Sequence, residues 1–235
     1  MTTTEELVLM DPWESEVDVP DSKDSLYICV SGNSGAGKSS LLKQIWGEIF
    51  RKDKYSIAID EKSLHHPFLL SLFHDTGRYG FQIQLNFMLQ RTLLVKRWLD
   101  LGYNVIMERS HLEDTVFIEH LHNKGHVSDS EYRTYLDLWQ CLAKQVRVPD
   151  IIVFLDVPPE VSLARIRNDE KSGRRLCEFP DEATKETWIN SWYQLYIRRF
   201  RELKELPDIP TRIIELQATD STASILHMIF PDCEL

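Results

Sequence analysis

Two hydrophobic periods alternate along this chain. Five short runs, 26–30, 55–59, 103–107, 151–156 and 211–216, are apolar almost throughout and partly β-branched. Runs of that length predict buried strands. Between them apolar residues recur at helical spacing. The first helix opens at Leu41 and ends near Arg51, Lys52 and Asp53. A long helix covers 78–101, and a stripe from Tyr132 through Tyr135, Leu136, Trp139, Leu142 and Ala143 to Val146 marks another. Further helices open at Val161, span 188–204 with Trp192, Leu195, Tyr196, Phe200 and Leu203 on one stripe, and close the chain at 221–229. Strands alternating with helices predict an α/β fold, a five-stranded, mostly parallel sheet flanked by helices with right-handed crossovers. Along 78–101, Ile83, Leu85, Phe87, Met88, Leu89, Leu93, Leu94, Val95, Trp98 and Leu99 surround the helix, so burial on most sides is expected. Gln84, Phe87 and Arg91 share one face of it, where the two polar groups need internal partners or a polar ligand.

Between the first strand and first helix stands Gly32-Asn33-Ser34-Gly35-Ala36-Gly37-Lys38-Ser39. It fits G-x-x-x-x-G-K-[ST] at every fixed position, in the strand–loop–helix context that this phosphate-binding pattern requires. Glycines let the backbone wrap an anion, and N–H groups with the helix N-terminus face the phosphates. Lys38 adds charge at the β/γ-phosphates and the Ser39 hydroxyl can ligate Mg²⁺. The expected class is therefore a P-loop nucleotide-binding protein.

Other chemistry sits at strand ends, the edge where ligands bind in open α/β sheets. Asp60 and Glu61 follow the second strand, and Glu108-Arg109-Ser110 follow the third. Ser110 with Glu113 reads as a capping box, with Asp114 next on the first helical turn. Asp156, ending the fourth strand, reads equally as a Walker-B-type carboxylate or as a cap before Pro158 and Pro159. Arg165, Arg167, Lys171, Arg174 and Arg175 surround Gly173 and suit a mobile, Arg-rich lid over phosphates at about 167–180. Two tempting patterns fail. His65 and His66 are adjacent, share no face and lack a third metal ligand nearby. Asn123-Lys124-Gly125-His126 lacks the aspartate of guanine readers and reads as a helix C-cap turn.

Charge narrows the partners. The net charge of -10 argues against nucleic acid. Much of it lies in residues 1–24, where eight acids face a single Lys23, so an acidic, disordered tail is expected ahead of one domain at 25–235. That tail has neither the basic start nor the apolar run of a signal peptide, and no segment has the apolar length of a membrane span. Cys29, Cys141, Cys177 and Cys233 form no C-x-x-C, which fits reduced thiols and a cytoplasmic protein.

Phosphoryl transfer needs a phosphate cradle, a metal, a base for the acceptor hydroxyl and positive charge for the transition state. Glu61 is the base candidate, and Arg109 with the lid arginines supplies charge. The Gln84 amide pairs a donor with an acceptor, as an adenine or cytosine edge requires, and Phe87 can stack on a base. Five tracts together resemble the deoxynucleoside kinase family, closest to its bacterial-type deoxyadenosine/deoxyguanosine kinases. They are the glycine loop, Glu61 with Pro67-Phe68-Leu69, Arg78-Tyr79-Gly80-Phe81-Gln82-Ile83-Gln84, Glu108-Arg109-Ser110-His111-Leu112-Glu113-Asp114, and the lid arginines with Glu178.

That resemblance implies ATP and Mg²⁺ as cofactors and a deoxynucleoside, best deoxyadenosine, then deoxyguanosine or deoxycytidine, as acceptor. It implies Glu61 as general base towards the 5′-hydroxyl, with Lys38 and Arg109 catalytic beside it. It implies Gln84 as base-edge reader, with Phe87 and with Arg91 and Asp114 as a charged pair beside the base. Phe73 falls on the sugar 3′-hydroxyl side, Glu178 approaches that hydroxyl from the lid, and Glu108 and Ser39 stand at the metal. ATP is expected on residues 32–39, Ser40, Arg174 and Arg175, with its adenine near 218–221. Lys62 stands where the family usually has proline, and His65 and His66 where it usually has tryptophan. A homodimer, or a tetramer of dimers, is also implied. Two other readings compete: a thymidylate-kinase-type nucleoside monophosphate kinase, and a non-catalytic binding subunit of the same fold. Glu61 would repel an acceptor phosphate, and intact Lys38, Ser39, Glu61 and Arg109 speak against the second.

Overall fold

The computed structural model describes residues 20, 24–61, 64, 68–206, 210–217 and 222–230. All five expected strands form: β1 (Tyr27–Gly32), β2 (Ser56–Ile59), β3 (Asn104–Glu108), β4 (Ile151–Asp156) and β5 (Arg212–Gln217). They build one sheet in the order β2-β3-β1-β4-β5, with every neighbouring pair parallel. Alternating side chains divide the core in two. Tyr27 and Cys29, Val105 and Met107, and Ile152 and Phe154 join one layer. Ile28 and Val30, Ile106, and Val153 and Leu155 join the other. Both faces are covered, so these strands carry no polar alternation.

The helices are α1 (Lys38–Lys52), α2 (Leu69–Leu72), α3 (Thr76–Asp100), α4 (Asp114–Asn123), α5 (Asp129–Ala143), α6 (Pro159–Lys171), α7 (Glu182–Glu205) and α8 (Thr222–Ile229). Helices α1 and α8 pack on one face of the sheet. Helices α3, α4, α5 and α7 pack on the other.

Boundaries move from expectation where a polar cap, rather than the first apolar residue, starts a helix. Helix α7 begins six residues before the expected 188, because the Asp181 carboxylate accepts the Thr184 N–H at 2.7 Å and its hydroxyl at 2.9 Å. Helix α5 begins at Asp129 through a Ser128–Glu131 capping box, and it ends at Ala143 rather than 146. Asp75 likewise starts α3 by accepting the Arg78 N–H.

One expectation is corrected. The lid does not start at 167: α6 runs to Lys171, and Arg167 pairs with Glu182 and Glu186 of α7 at 2.5 Å each. The non-helical segment here is 172–181. Helix α3 is buried on most sides as expected, with Leu89 and Leu93, one turn apart, 40% and 48% exposed; Leu138 of α5 is 41% exposed. The acidic tail up to 19, Lys62, His65, His66, Pro67 and the adenine segment 218–221 lie outside the described residues. Among the described residues no helix is long and apolar enough to cross a membrane.

Candidate active site

Parallel strands end on one edge of the sheet, and the segments leaving that edge line a cavity of about 760 Å³. The glycine loop forms one end. Gly32, Gly35 and Gly37 take positive φ angles of 136°, 76° and 104°. A Cβ on Gly32 would lie 2.7 Å from the Leu155 carbonyl oxygen, and one on Gly35 would lie 2.6 Å from that of Ser162. Neither backbone can give way, so glycine is required at both. Ser34, Gly35, Ala36, Gly37, Lys38, Ser39 and Ser40 line the cavity, whereas Gly32 and Asn33 shape it from behind. The Asn33 amide donates to the Ile189 carbonyl at 2.9 Å and its Oδ1 accepts the Ser34 N–H at 2.8 Å, tying the loop to α7.

Lys38 Nζ donates to the Asn33 carbonyl at 2.9 Å and lies 3.4 Å from Glu108 Oε1. Burial, then the Arg109 charge, pushes the Lys38 pKa down, with Glu108 opposing. The Ser39 hydroxyl donates to Glu108 Oε2 at 2.8 Å. This hydroxyl and carboxylate, converging on the cavity wall, are hard oxygen donors of the kind that Mg²⁺ takes. Asp156 does not reach them: it accepts from the Tyr193 hydroxyl at 2.9 Å and lies outside the cavity lining. It is Glu108, not Asp156, that stands beside Ser39.

Strand side chains alternate, so Glu108 and Arg109 would normally face opposite sides. Arg109 breaks the alternation. It has φ 62°, the only positive φ on a non-glycine among the described residues. Both side chains therefore line the cavity. The Arg109 guanidinium pairs with Glu61 through Nη1, donates from Nε to the Tyr196 hydroxyl at 2.7 Å, and lies 5.1 Å over the Phe117 ring. Burial raises the Glu61 pKa, but the Arg109 and then the Lys38 charges outweigh it and hold the carboxyl at about 2. With 31% of its side chain open, Glu61 remains accessible from the cavity.

Gln84, Phe87 and Arg91 line the cavity from one face of α3. The Gln84 side-chain amide makes no hydrogen bond to a described residue. Arg91 is ion-paired with Asp114, and both are buried. Asp114 is 2% exposed and does not itself line the cavity. Arg91 Nε and Asp114 Oδ2 have no partner among the described residues. Phe73 also lines the cavity, packed on Phe179 at 4.3 Å, Trp188 at 5.1 Å and Trp192 at 6.4 Å. From the lid, Arg175 donates to the Ser34 hydroxyl at 3.1 Å and to Glu178 at 2.7 Å, while Arg174 pairs with Asp169 at 2.8 Å.

Among the lining residues to which the sequence reading assigns no site role are Phe117, Trp188 and Trp192. Arg165 of α6 donates to the Ala36 carbonyl at 2.8 Å and so lies against the phosphate loop. Trp188 and Trp192 stand one turn apart just after the lid, a spacing that signals a shared face but not which side it meets. Phe117 carries no sequence signal at all.

Residues 28–180 match the profile of the deoxynucleoside kinase family. The chain is 32% identical to a deoxyadenosine kinase of Dictyostelium discoideum over 67% of its length and 60% of the relative's. It is 30% identical to a deoxyadenosine/deoxycytidine kinase of Bacillus subtilis (strain 168) over 63% of its length and 66% of the relative's. It thus matches less than two thirds of the length of either relative. Among solved structures, a deoxyadenosine kinase from M. mycoides with dCMP and dCDP bound superposes with a TM-score of 0.67 at 22% identity, covering 87% of this chain and 96% of that one. A family profile spanning most of the chain, on a P-loop kinase fold with this cavity, identifies the protein as a member of the deoxynucleoside kinase family.

Proposed function

We propose that the protein transfers the γ-phosphoryl group of ATP to the 5′-hydroxyl of a deoxynucleoside, with deoxyadenosine the best substrate and deoxyguanosine or deoxycytidine behind it, in nucleotide salvage. The observation that carries this reading is a single cavity holding the glycine loop, the Glu61–Arg109 pair and the Gln84–Phe87–Arg91 face. A nucleoside base stacked on Phe87 offers its edge to the unengaged Gln84 amide, and adenine meets that amide with one donor and one acceptor. Its 5′-hydroxyl then enters between Glu61, which accepts the proton, and Arg109, which faces the oxygen and the phosphoryl group in flight. Phe73 and Glu178 flank the sugar, and Lys38, Arg165, Arg174 and Arg175 gather around the ATP phosphates. Ser39 and Glu108 would hold Mg²⁺, which neutralises charge between the β- and γ-phosphates. The names of the two relatives support the deoxyadenosine preference.

A homodimer, or a tetramer of dimers, is part of the proposal, supported by the exposed Leu89, Leu93 and Leu138 on adjoining helices. A cytoplasmic location is supported by the free thiols of Cys29, Cys141 and Cys177. The test is to incubate purified protein with Mg-ATP and each common deoxynucleoside and to separate the products. Deoxyadenosine should give its monophosphate fastest, with one ADP per product. No monophosphate from any nucleoside, with ADP formed only when deoxythymidine monophosphate is the acceptor, would establish the thymidylate-kinase-type alternative instead.

A further inference from the structure

We infer that Tyr196 is a positioning residue that keeps Arg109 aimed at the transferring phosphoryl group. The inference deepens the kinase reading and rests on it for its catalytic part. Arg109 occupies a left-handed backbone conformation, which costs a non-glycine residue stability and persists only where surroundings impose it. Its guanidinium has three holds: Glu61 at Nη1, the Tyr196 hydroxyl at Nε, and the Phe117 ring beneath. The first hold is temporary. Once a 5′-hydroxyl approaches Glu61, that carboxylate must turn part of its hydrogen bonding to the substrate. The guanidinium then relies on the other two.

Tyr196 is built for this. It is fully buried on α7, one turn below the cavity-lining Trp192. Phe117 packs edge-on against Trp192 at 5.1 Å and Tyr196 at 6.0 Å, making a ring bed under Arg109. A phenol oxygen can accept the Nε–H without competing for the Nη groups that face Glu61. It is also neutral, so it holds the guanidinium without drawing charge from the cavity, as a second carboxylate would. Burial pushes the Tyr196 hydroxyl far above its ordinary titration range, so it stays protonated at working pH.

The experiment combines Tyr196→Phe, Arg109→Lys and the double variant. Tyr196→Phe keeps the buried ring and removes only the oxygen, so folding, judged by thermal unfolding, is expected to persist. Its kcat should fall by about tenfold or more, with KM for deoxyadenosine and for ATP within about twofold of wild type. Lysine has one nitrogen where Arg109 uses separate ones for this hydroxyl and for Glu61, so it cannot reproduce the hold, and Tyr196→Phe should change the rate of the Arg109→Lys enzyme by less than about twofold. Independent effects of the two substitutions, or an unchanged kcat in Tyr196→Phe, would overturn the inference. A second readout does not need activity. In protein labelled with ¹⁵N-arginine, the Arg109 Nε–H signal, identified by its loss in Arg109→Lys, should exchange with water at least about tenfold faster in Tyr196→Phe. Equal exchange would overturn the positioning role even if the wild type proved inactive. Faster exchange in an inactive protein would leave the hold intact and remove the kinase reading alone.

Discussion

Replacing Arg91 by methionine isolates the buried pair at the base end of the cavity. Arg91 and Asp114 have side-chain exposures of 3% and 2%. Asp114 Oδ2 already lacks a partner among the described residues, and Arg91→Met would strip Oδ1 as well. A buried carboxylate with neither oxygen bonded must pay desolvation or take up a proton. Removing one member of such a pair costs about 3–5 kcal/mol. Against a total stability of about 5–15 kcal/mol, that is a loss of the order of a third. Arg91→Met with Asp114→Val removes both charges and should recover to within about 1 kcal/mol of wild type, or exceed it. Urea unfolding followed by tryptophan fluorescence measures all three proteins. On the proposed reading the same pair also reads the base, Arg91 lining the cavity. The kcat/KM ratio of thymidine to deoxyadenosine should therefore rise in the double variant, while Arg91→Met alone is poorer with both. An Arg91→Met protein within about 1 kcal/mol of wild type, or a double variant as unstable as the single, would refute the energetic reasoning. An unchanged substrate ratio would refute the specificity.

The remaining predictions concern Glu61 charge and assembly. The folded pKa of Glu61, about 2, lies below its ordinary 4.5, so its ion pair stabilises the fold fully above about 4.5 and the effect is lost as pH falls towards 2. Solvent screening keeps it small, but the unfolding free-energy difference between wild type and Glu61→Gln should shrink from pH 7 to pH 3, and an equal difference at both would contradict it. Sedimentation at micromolar concentration should show a species of at least twice the 27.6 kDa chain, converted to monomer by Leu89→Glu with Leu93→Glu. A wild-type monomer would remove the dimer.

Strands β1, β3 and β4 were legible because both their faces are covered, so their apolar runs have little interruption, whereas edge strand β5 exposes Glu215 and Gln217. Helix starts were less legible, because Asp181 and Ser128 act through hydrogen bonds several residues ahead of the first buried side chain. In the site, the phosphate loop, Glu61, Glu108 and Arg109 could be read from strand ends, since topology brings parallel strand ends together. The Arg91–Asp114 pair was legible as a pair, but its degree of burial was not, because spacing places a residue on a helix but not the helix's rotation against its neighbour. Trp188, Trp192 and Tyr196 hid for a related reason: aromatics at helical spacing look alike whether they meet a core or a cavity. Arg167 misled in the opposite direction, being a lid charge by composition but committed to Glu182 and Glu186 in three dimensions.

The central claim is that Glu61 receives the proton of the nucleoside 5′-hydroxyl at the phosphate loop. Single-turnover phosphorylation of deoxyadenosine by Glu61→Gln, with Asp60→Asn as its neighbour control, tests it most directly. Glutamine keeps the size and can still orient the hydroxyl, but it cannot take the proton. The rate should fall by about 10²–10⁴, with deoxyadenosine affinity within about threefold of wild type and Asp60→Asn near normal. Near-normal turnover in Glu61→Gln, accompanied by a collapse in Asp60→Asn, would contradict it.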